Sequence, residues 1–261
     1  MSEQKTTPAG EKVAVAGQGQ EGTGAPLVVF DFDHTLYDGD SGGHLFKWLV
    51  MRSWWRIALA LLIAPVFGPM IAFLPTRRVG ISGFVWAGTV GLRGPKDLDD
   101  HIDRYVALHD ERLRERLLPI ALEVLARHRS AGDRVVIATG APPELARAIL
   151  AFVAHEDVPV VGTAVGPRLG GIVAVRHCHF RMKMTMLREA GFTGPVLRAY
   201  SDSSADLPLL MEAAEPVVVN PKAESVERFR EALPAGTPIL NWGCVDRAGA
   251  PADKVDPTRA A

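Results

Sequence analysis

The chain has 261 residues, 48% of them hydrophobic and 23% charged, enough for one catalytic domain, an inserted module and a sizeable core; a disulfide miniprotein and a wholly disordered chain are excluded. Lys and Arg total 29 against 30 Asp and Glu, so there is no basic excess of the kind a nucleic-acid binder carries. Cys178 and Cys244 lie far apart with no CxxC spacing, which indicates neither a zinc site nor a disulfide framework.

Residues 1–25 have no aromatic side chain and no long apolar run, so they are expected to be a disordered cytoplasmic leader without a signal-peptide h-region. Short apolar runs then alternate with helical patterns: Leu27–Phe32, Pro119–Ser130, Arg134–Ala138, Val196–Tyr200 and Val217–Val219. Val/Ile-rich runs with helices between them predict an α/β fold, a doubly wound, Rossmann-like parallel sheet with ligands beyond the carboxyl ends of its strands. Catalytic-core residues are assigned to 26–41 and 119–244, with a disordered tail over 245–261.

Roughly 100 residues separate the first two strands, far more than a crossover requires, so residues 42–118 are assigned to an inserted helical cap. Ile57 to Leu74 is an uncharged, apolar run, about 27 Å long if helical and close to the length of a membrane span. Pro65, Gly68 and Pro69 should break that helix near its middle. Arg52, Arg56, Arg77, Arg78, Trp48, Trp54 and Trp55 flank it as interface anchors do. Asp31 before the run and Thr139 after it must reach one site, so a hairpin dipping into one leaflet is expected; the competing reading is the buried centre of a soluble cap. Leu98, Ile102, Tyr105 or Val106, His109, Leu113 and Leu117 recur at helical spacing and predict one amphipathic helix.

The chemistry-bearing residues follow strand ends. Asp31 and Asp33, with Thr35 beyond them, put two carboxylates two residues apart, costly neighbours unless a cation or a reaction uses both. Thr139 and Gly140 precede a helix opening at Pro142-Pro143-Glu144 and form a ready anion site. Lys183 is the single lysine between Thr139 and Asp202 in an arginine-rich chain, a compact charge suited to phosphate. Asp202 and Asp206 supply hard oxygen donors at a further strand end, converging with the first pair on a Mg²⁺ site. His177 and His179 around Cys178 have no third ligand in view and carry no role. Met182, Met184 and Met186 read as core filler.

These four motifs, in this order, resemble the haloacid dehalogenase superfamily and within it the subfamily IB phosphatases with a C1-type cap. The resemblance implies Asp31 as nucleophile and Asp33 as acid/base. It implies Thr139, Gly140, Thr35 and Lys183 around the phosphate, and Mg²⁺ held by Asp31, the Asp33 backbone, Asp202 and Asp206. Tyr200-Ser201-Asp202-Ser203, the Arg176–Lys183 segment and the apolar run further resemble the phosphatidylglycerophosphatase C group. That implies phosphatidylglycerophosphate as substrate at the cytoplasmic face of the inner membrane and no obligate protein partner. His34, where many relatives have Gly, and Ser201 and Ser203, in place of the glycines of phosphoserine phosphatases, depart from the pattern. A soluble phosphatase acting on a small phosphomonoester such as phosphoserine or histidinol phosphate, and a non-enzymatic phosphoacceptor, are the alternatives; retention of Asp33 and Lys183 argues against the second.

Overall fold

The computed structural model describes residues 15–16, 25–73 and 76–247; the rest of the leader and the tail beyond 247 lie outside the described residues. Among them, β1 (Val15–Ala16), β2 (Leu27–Phe30), β3 (Arg134–Ala138), β4 (Val160–Val161), β7 (Val196–Ser201), β8 (Glu215–Val219) and β9 (Ile239–Leu240) form one sheet in the order β1-β4-β3-β2-β7-β8-β9. All its pairings are parallel except β1 on β4. The predicted doubly wound α/β fold is therefore present. Alternation along the strands explains it: Val28 and Phe30 join the core on one face of the sheet, Leu27 and Val29 the core on the other, so each residue step changes face and both faces need a helical cover.

β2 ends at Phe30 rather than Phe32, because the Phe32 carbonyl accepts from the amides of Thr35, Leu36 and Tyr37 and folds the chain into a turn. Asp31 still continues the ladder, its amide donating to the Tyr200 carbonyl at 2.9 Å. The leader is not wholly irregular, since Val15–Ala16 pairs with β4; two small apolar residues satisfy a sheet edge that would otherwise stand open.

Among the described residues, five helices lie between β2 and the crossover helix α6 (Pro119–Ser130): α1 (Ser41–Met51), α2 (Trp54–Ala72), α3 (Arg77–Thr89), α4 (Pro95–Leu108) and α5 (Asp110–Glu115). The expected single amphipathic helix is two, divided at His109, although Leu98, Ile102, Tyr105, Val106, Leu113 and Leu117 are all buried as the spacing requires.

The break expected at Pro65, Gly68 and Pro69 does not occur: α2 runs through all three. The two prolines are four apart, so both lie on one side of the helix, and both are exposed. The hydrogen bonds they forgo are lost on the solvent side. The opposite side is braced by α3, where a Cβ at Gly80 would meet the Phe67 carbonyl at 2.8 Å and one at Gly83 would meet the Phe67 ring at 2.5 Å. Only glycine allows so close a crossing. Nor is this segment the buried centre of a cap, because only 6% of its apolar window is buried. Arg56 is the buried residue of α2; it does not face a membrane surface but donates to the Leu49 and Val90 carbonyls, tying the base of the α2–α3 hairpin to α1.

A hairpin of β5 (Ala164–Arg168) and β6 (Gly171–Arg176), absent from the sequence reading, carries α3 on its flank. The Trp86 indole donates to the Leu169 carbonyl at 3.1 Å, and the Thr89 hydroxyl exchanges hydrogen bonds with both backbone groups of Ile172. α3 thus runs antiparallel to β6, bringing its start beside the loop that follows β6, and α2 forms the outermost layer.

Candidate active site

The adjacency of β3, β2 and β7 in the sheet brings three of the predicted motifs to one edge. Asp31 continues β2, Thr139 follows β3, Asp202 follows β7, and Asp206 closes the short helical turn Ser204–Asp206. Lys183 reaches the same point from α8 (Arg181–Glu189). Its ammonium donates to Asp31 Oδ1 at 3.0 Å and to Asp206 Oδ2 at 2.6 Å, and the side chain is 1% exposed. Burial works against that charge, but Asp206 and Asp31 override it and hold the lysine above its ordinary range.

Burial pushes the Asp31 carboxyl up to about 6, with Asp206 adding to the rise and Lys183 opposing it. Asp202 is raised by burial and by Asp31, against the counter-charge of Arg247. Three carboxylates are thus crowded into a site whose cations are Lys183 and Arg247. The Ser201 hydroxyl donates to Asp206 Oδ2 at 2.8 Å, while Asp206 Oδ1 is buried without a hydrogen-bond partner among the described residues. Crowded carboxylates and an orphaned oxygen fit a hard divalent cation such as Mg²⁺, which takes oxygen ligands and relieves the mutual repulsion.

Asp33 sits two residues on, in the turn, where the Ser41 amide at the start of α1 donates to its Oδ1 at 2.9 Å. Burial, then the charge of Asp40, lifts its carboxyl to about 8, so it holds a proton at neutral pH. A carboxylic acid in that state can donate to a leaving group and, once ionised, take a proton from water. Thr35 is fully buried and its hydroxyl has no partner among the described residues.

Thr139 is fully buried; its Oγ accepts from the Ala141 amide at 3.0 Å, which leaves the hydroxyl hydrogen available to an anion. Gly140 has a reason to be glycine: a Cβ there would lie 2.6 Å from His179 Nε2. The His177–His179 segment, given no role above, therefore covers the anion cradle of Thr139 and Gly140. Burial, with Lys183 second, pushes His179 down to about 4, so it stays neutral; burial and Arg78 lower His177. Arg78, at the start of α3, stacks over the Phe180 ring at 5.2 Å and so joins the helical insert to this loop. Cys178 between the histidines is buried, its thiol pushed up to about 12 by burial, and unreactive. Met184 and Met186 are buried as expected, whereas Met182 is exposed.

Two further residues escaped the sequence reading. Ser41 is recognisable only once α1 starts against Asp33. Arg247 falls in the stretch assigned to a disordered tail, yet Val245–Arg247 is a helical turn and its guanidinium pairs with Asp202 Oδ2 at 3.1 Å. No periodicity marks it; the unbalanced carboxylates recruit it.

Fold and site define a class: a doubly wound sheet with crowded buried carboxylates, a carboxylic acid lifted above its ordinary range and an anion cradle at the strand ends is the arrangement of a phosphatase. The family model described as haloacid dehalogenase-like hydrolase matches residues 28–211, and the chain belongs to that family. Among solved structures, a protein of unknown function from Bordetella pertussis Tohama I is similar at 20% identity and a TM-score of 0.58, covering 79% of this chain and 95% of its own. A substrate-bound phosphoserine phosphatase is similar at 14% identity and a TM-score of 0.51, covering 86% and 96%. At these identities the likeness is one of fold. No curated protein sequence matches the chain.

Proposed function

We propose that the protein is a Mg²⁺-dependent phosphomonoesterase working through an aspartyl-phosphate, and that its substrate is a lipid phosphate monoester, phosphatidylglycerophosphate, converted to phosphatidylglycerol at the cytoplasmic face of the membrane. The lipid reading rests on one observation. The outward side of α2 is an uncharged stripe of exposed Trp54, Ala58, Leu61, Leu62, Pro65, Pro69 and Ala72, with Leu62 at 76%. Water-soluble proteins rarely leave so long an apolar face uncovered. Because α2 is the outer layer and α3 is tied along β6, the helix lies lengthwise on a membrane rather than dipping in by its tip. Arg78 and Phe180 then stand between that surface and His179 and Gly140, where a headgroup phosphate would be held.

In this mechanism Asp31 attacks phosphorus in line as the leaving oxygen departs, and Asp33 gives its proton to that oxygen. Ionised Asp33 next takes a proton from the water that hydrolyses the aspartyl-phosphate. Thr139, the Gly140 amide and Lys183 stabilise the phosphoryl oxygens, with Thr35 supporting them. Asp31, the Asp33 carbonyl and Asp202 would hold Mg²⁺, with Asp206 behind them; the ion supplies charge neutralisation at phosphorus.

The deciding experiment is phosphate release from phosphatidylglycerophosphate in detergent micelles with Mg²⁺, compared with phosphoserine. Strong turnover of the lipid supports the reading; turnover of phosphoserine alone removes it. Flotation tests the membrane contact: wild type is expected to float with anionic vesicles, and the pair Leu61→Asp, Leu62→Asp to remain below. On vesicles the pair should lose at least about tenfold in lipid turnover while still hydrolysing a water-soluble ester. A wild type that stays soluble without detergent or vesicles overturns the membrane part.

Asp33 makes a further prediction. Since its carboxyl is lifted to about 8, kcat/KM should fall as pH rises through about 8, where the free enzyme loses the acid. Asp33→Asn should lower the rate by about 10²–10⁴-fold and abolish that limb; a pH profile in which the limb survives the substitution assigns it to another group.

A further inference from the structure

A second cluster of metal-binding side chains stands apart from the carboxylates around Asp31. The Cys244 thiol donates to Asp38 Oδ1 at 2.8 Å and lies 3.6 Å from His34 Nδ1. One ligand atom from each of the three falls within 4.8 Å of the others. Asp38 and Cys244 are buried and His34 half-buried. The sulfur–nitrogen edge suits a tetrahedral ion: zinc bonds of about 2.3 Å to sulfur and about 2.0 Å to nitrogen put those atoms about 3.5 Å apart, close to the observed 3.6 Å. The Asp38 oxygen must move off its hydrogen bond with the thiol.

Three other observations support a built site. His34 is held at φ +57°, a left-handed conformation that a non-glycine residue adopts at a cost and that clusters at functional positions. The other Asp38 oxygen accepts from the Val245 amide at 3.1 Å, and the His34 carbonyl accepts from the Asn220 side chain at 2.8 Å. The segments that carry the three side chains are thus fixed relative to one another by hydrogen bonds. Finally, carboxylate and thiolate together balance a dication, while an imidazole adds no charge.

We propose that His34, Asp38 and Cys244 bind one zinc ion, with a fourth donor completing the tetrahedron. On binding, Cys244 releases its thiol proton to solvent. Mixed nitrogen, oxygen and sulfur donors in tetrahedral array select zinc over Mg²⁺, which requires oxygen donors in an octahedron. The ion is a clasp: it joins the turn after Asp33 to the segment after β9, three residues before Arg247 engages Asp202. The reading is independent of which phosphate ester the enzyme hydrolyses.

The test is cobalt titration of the metal-stripped full chain in saturating Mg²⁺, which occupies the carboxylate site. One equivalent of Co²⁺ is expected, with a thiolate-to-cobalt charge-transfer band. Cys244→Ser should lose the band and Cys178→Ala should keep it. His34→Gly, which suits the backbone conformation and should fold, should bind cobalt at least about tenfold more weakly. Zinc should raise the unfolding temperature of the wild type but not of Cys244→Ser. Absence of the band, its persistence in Cys244→Ser, or displacement of cobalt by Mg²⁺ overturns the site; binding without thermal stabilisation overturns the clasp.

Discussion

Asp31→Asn should reduce phosphate release by on the order of 10⁴-fold or more, the scale on which removal of a covalent nucleophile falls. The amide matches the carboxylate in shape, so the Lys183 contact at 3.0 Å can become a contact to the amide oxygen, and the fold should remain. Its stability should in fact rise. The Asp31 carboxyl is lifted to about 6 from an ordinary 3.8. A folded-state value above the unfolded one means that the native state holds the proton more tightly. The stabilising effect of that proton is complete below about pH 4 and is lost as pH rises through about 6. At pH 8 in chelator, Asn should therefore melt above the wild type, and Mg²⁺ should stabilise it less. Scanning calorimetry with and without Mg²⁺ checks this; an inactive variant that also melts far below the wild type would mean that the activity loss reported unfolding, not chemistry.

Lys183→Met should lose activity and also cost about 3–5 kcal/mol of stability, the usual penalty for leaving a buried ion pair without one partner. The lysine is 1% exposed between Asp31 and Asp206, and Met fills its volume, so the loss would be electrostatic rather than a cavity. What remains is Asp31, Asp202 and Asp206, with Arg247 facing Asp202 alone. A divalent cation restores the missing positive charge, so Mg²⁺ should recover more stability in the variant than in the wild type. Urea unfolding at several Mg²⁺ concentrations measures both quantities. Equal midpoints for variant and wild type in chelator would show that the lysine charge does not support the fold.

Much of the fold was legible because its signal is periodic and local. Arg134–Ala138 reads as a strand from its residues alone, since a β-branched run between a helix and a turn has few other uses. The gathering of carboxylates at the strand ends was legible for a related reason: in a parallel sheet, polar residues directly after such runs stand where ligands bind. The β5–β6 hairpin was harder to read, because β5 (Ala164–Arg168) carries Gly166 and Pro167 with little continuous apolar character, although β6 (Gly171–Arg176) has the apolar, largely β-branched run Ile172–Val175. Pro65 and Pro69 misled because proline's local cost is real, whereas the bracing of α2 by Gly80 and Gly83 comes from another helix.

Sequence by itself determined the doubly wound sheet, the order of the four motifs, and an uncharged segment too apolar for an ordinary surface helix. These depend on residue type and short-range period, which act over a few bonds. Only the tertiary structure decided that α2 exposes its apolar face and that His179 covers Gly140. The same holds for Arg247, which reaches Asp202 from a stretch without pattern, and for Cys244, which meets His34 and Asp38 across more than 200 residues of chain. Each of these is a contact between distant segments, set by which side chain the packed sheet leaves facing which loop, and no local spacing encodes it.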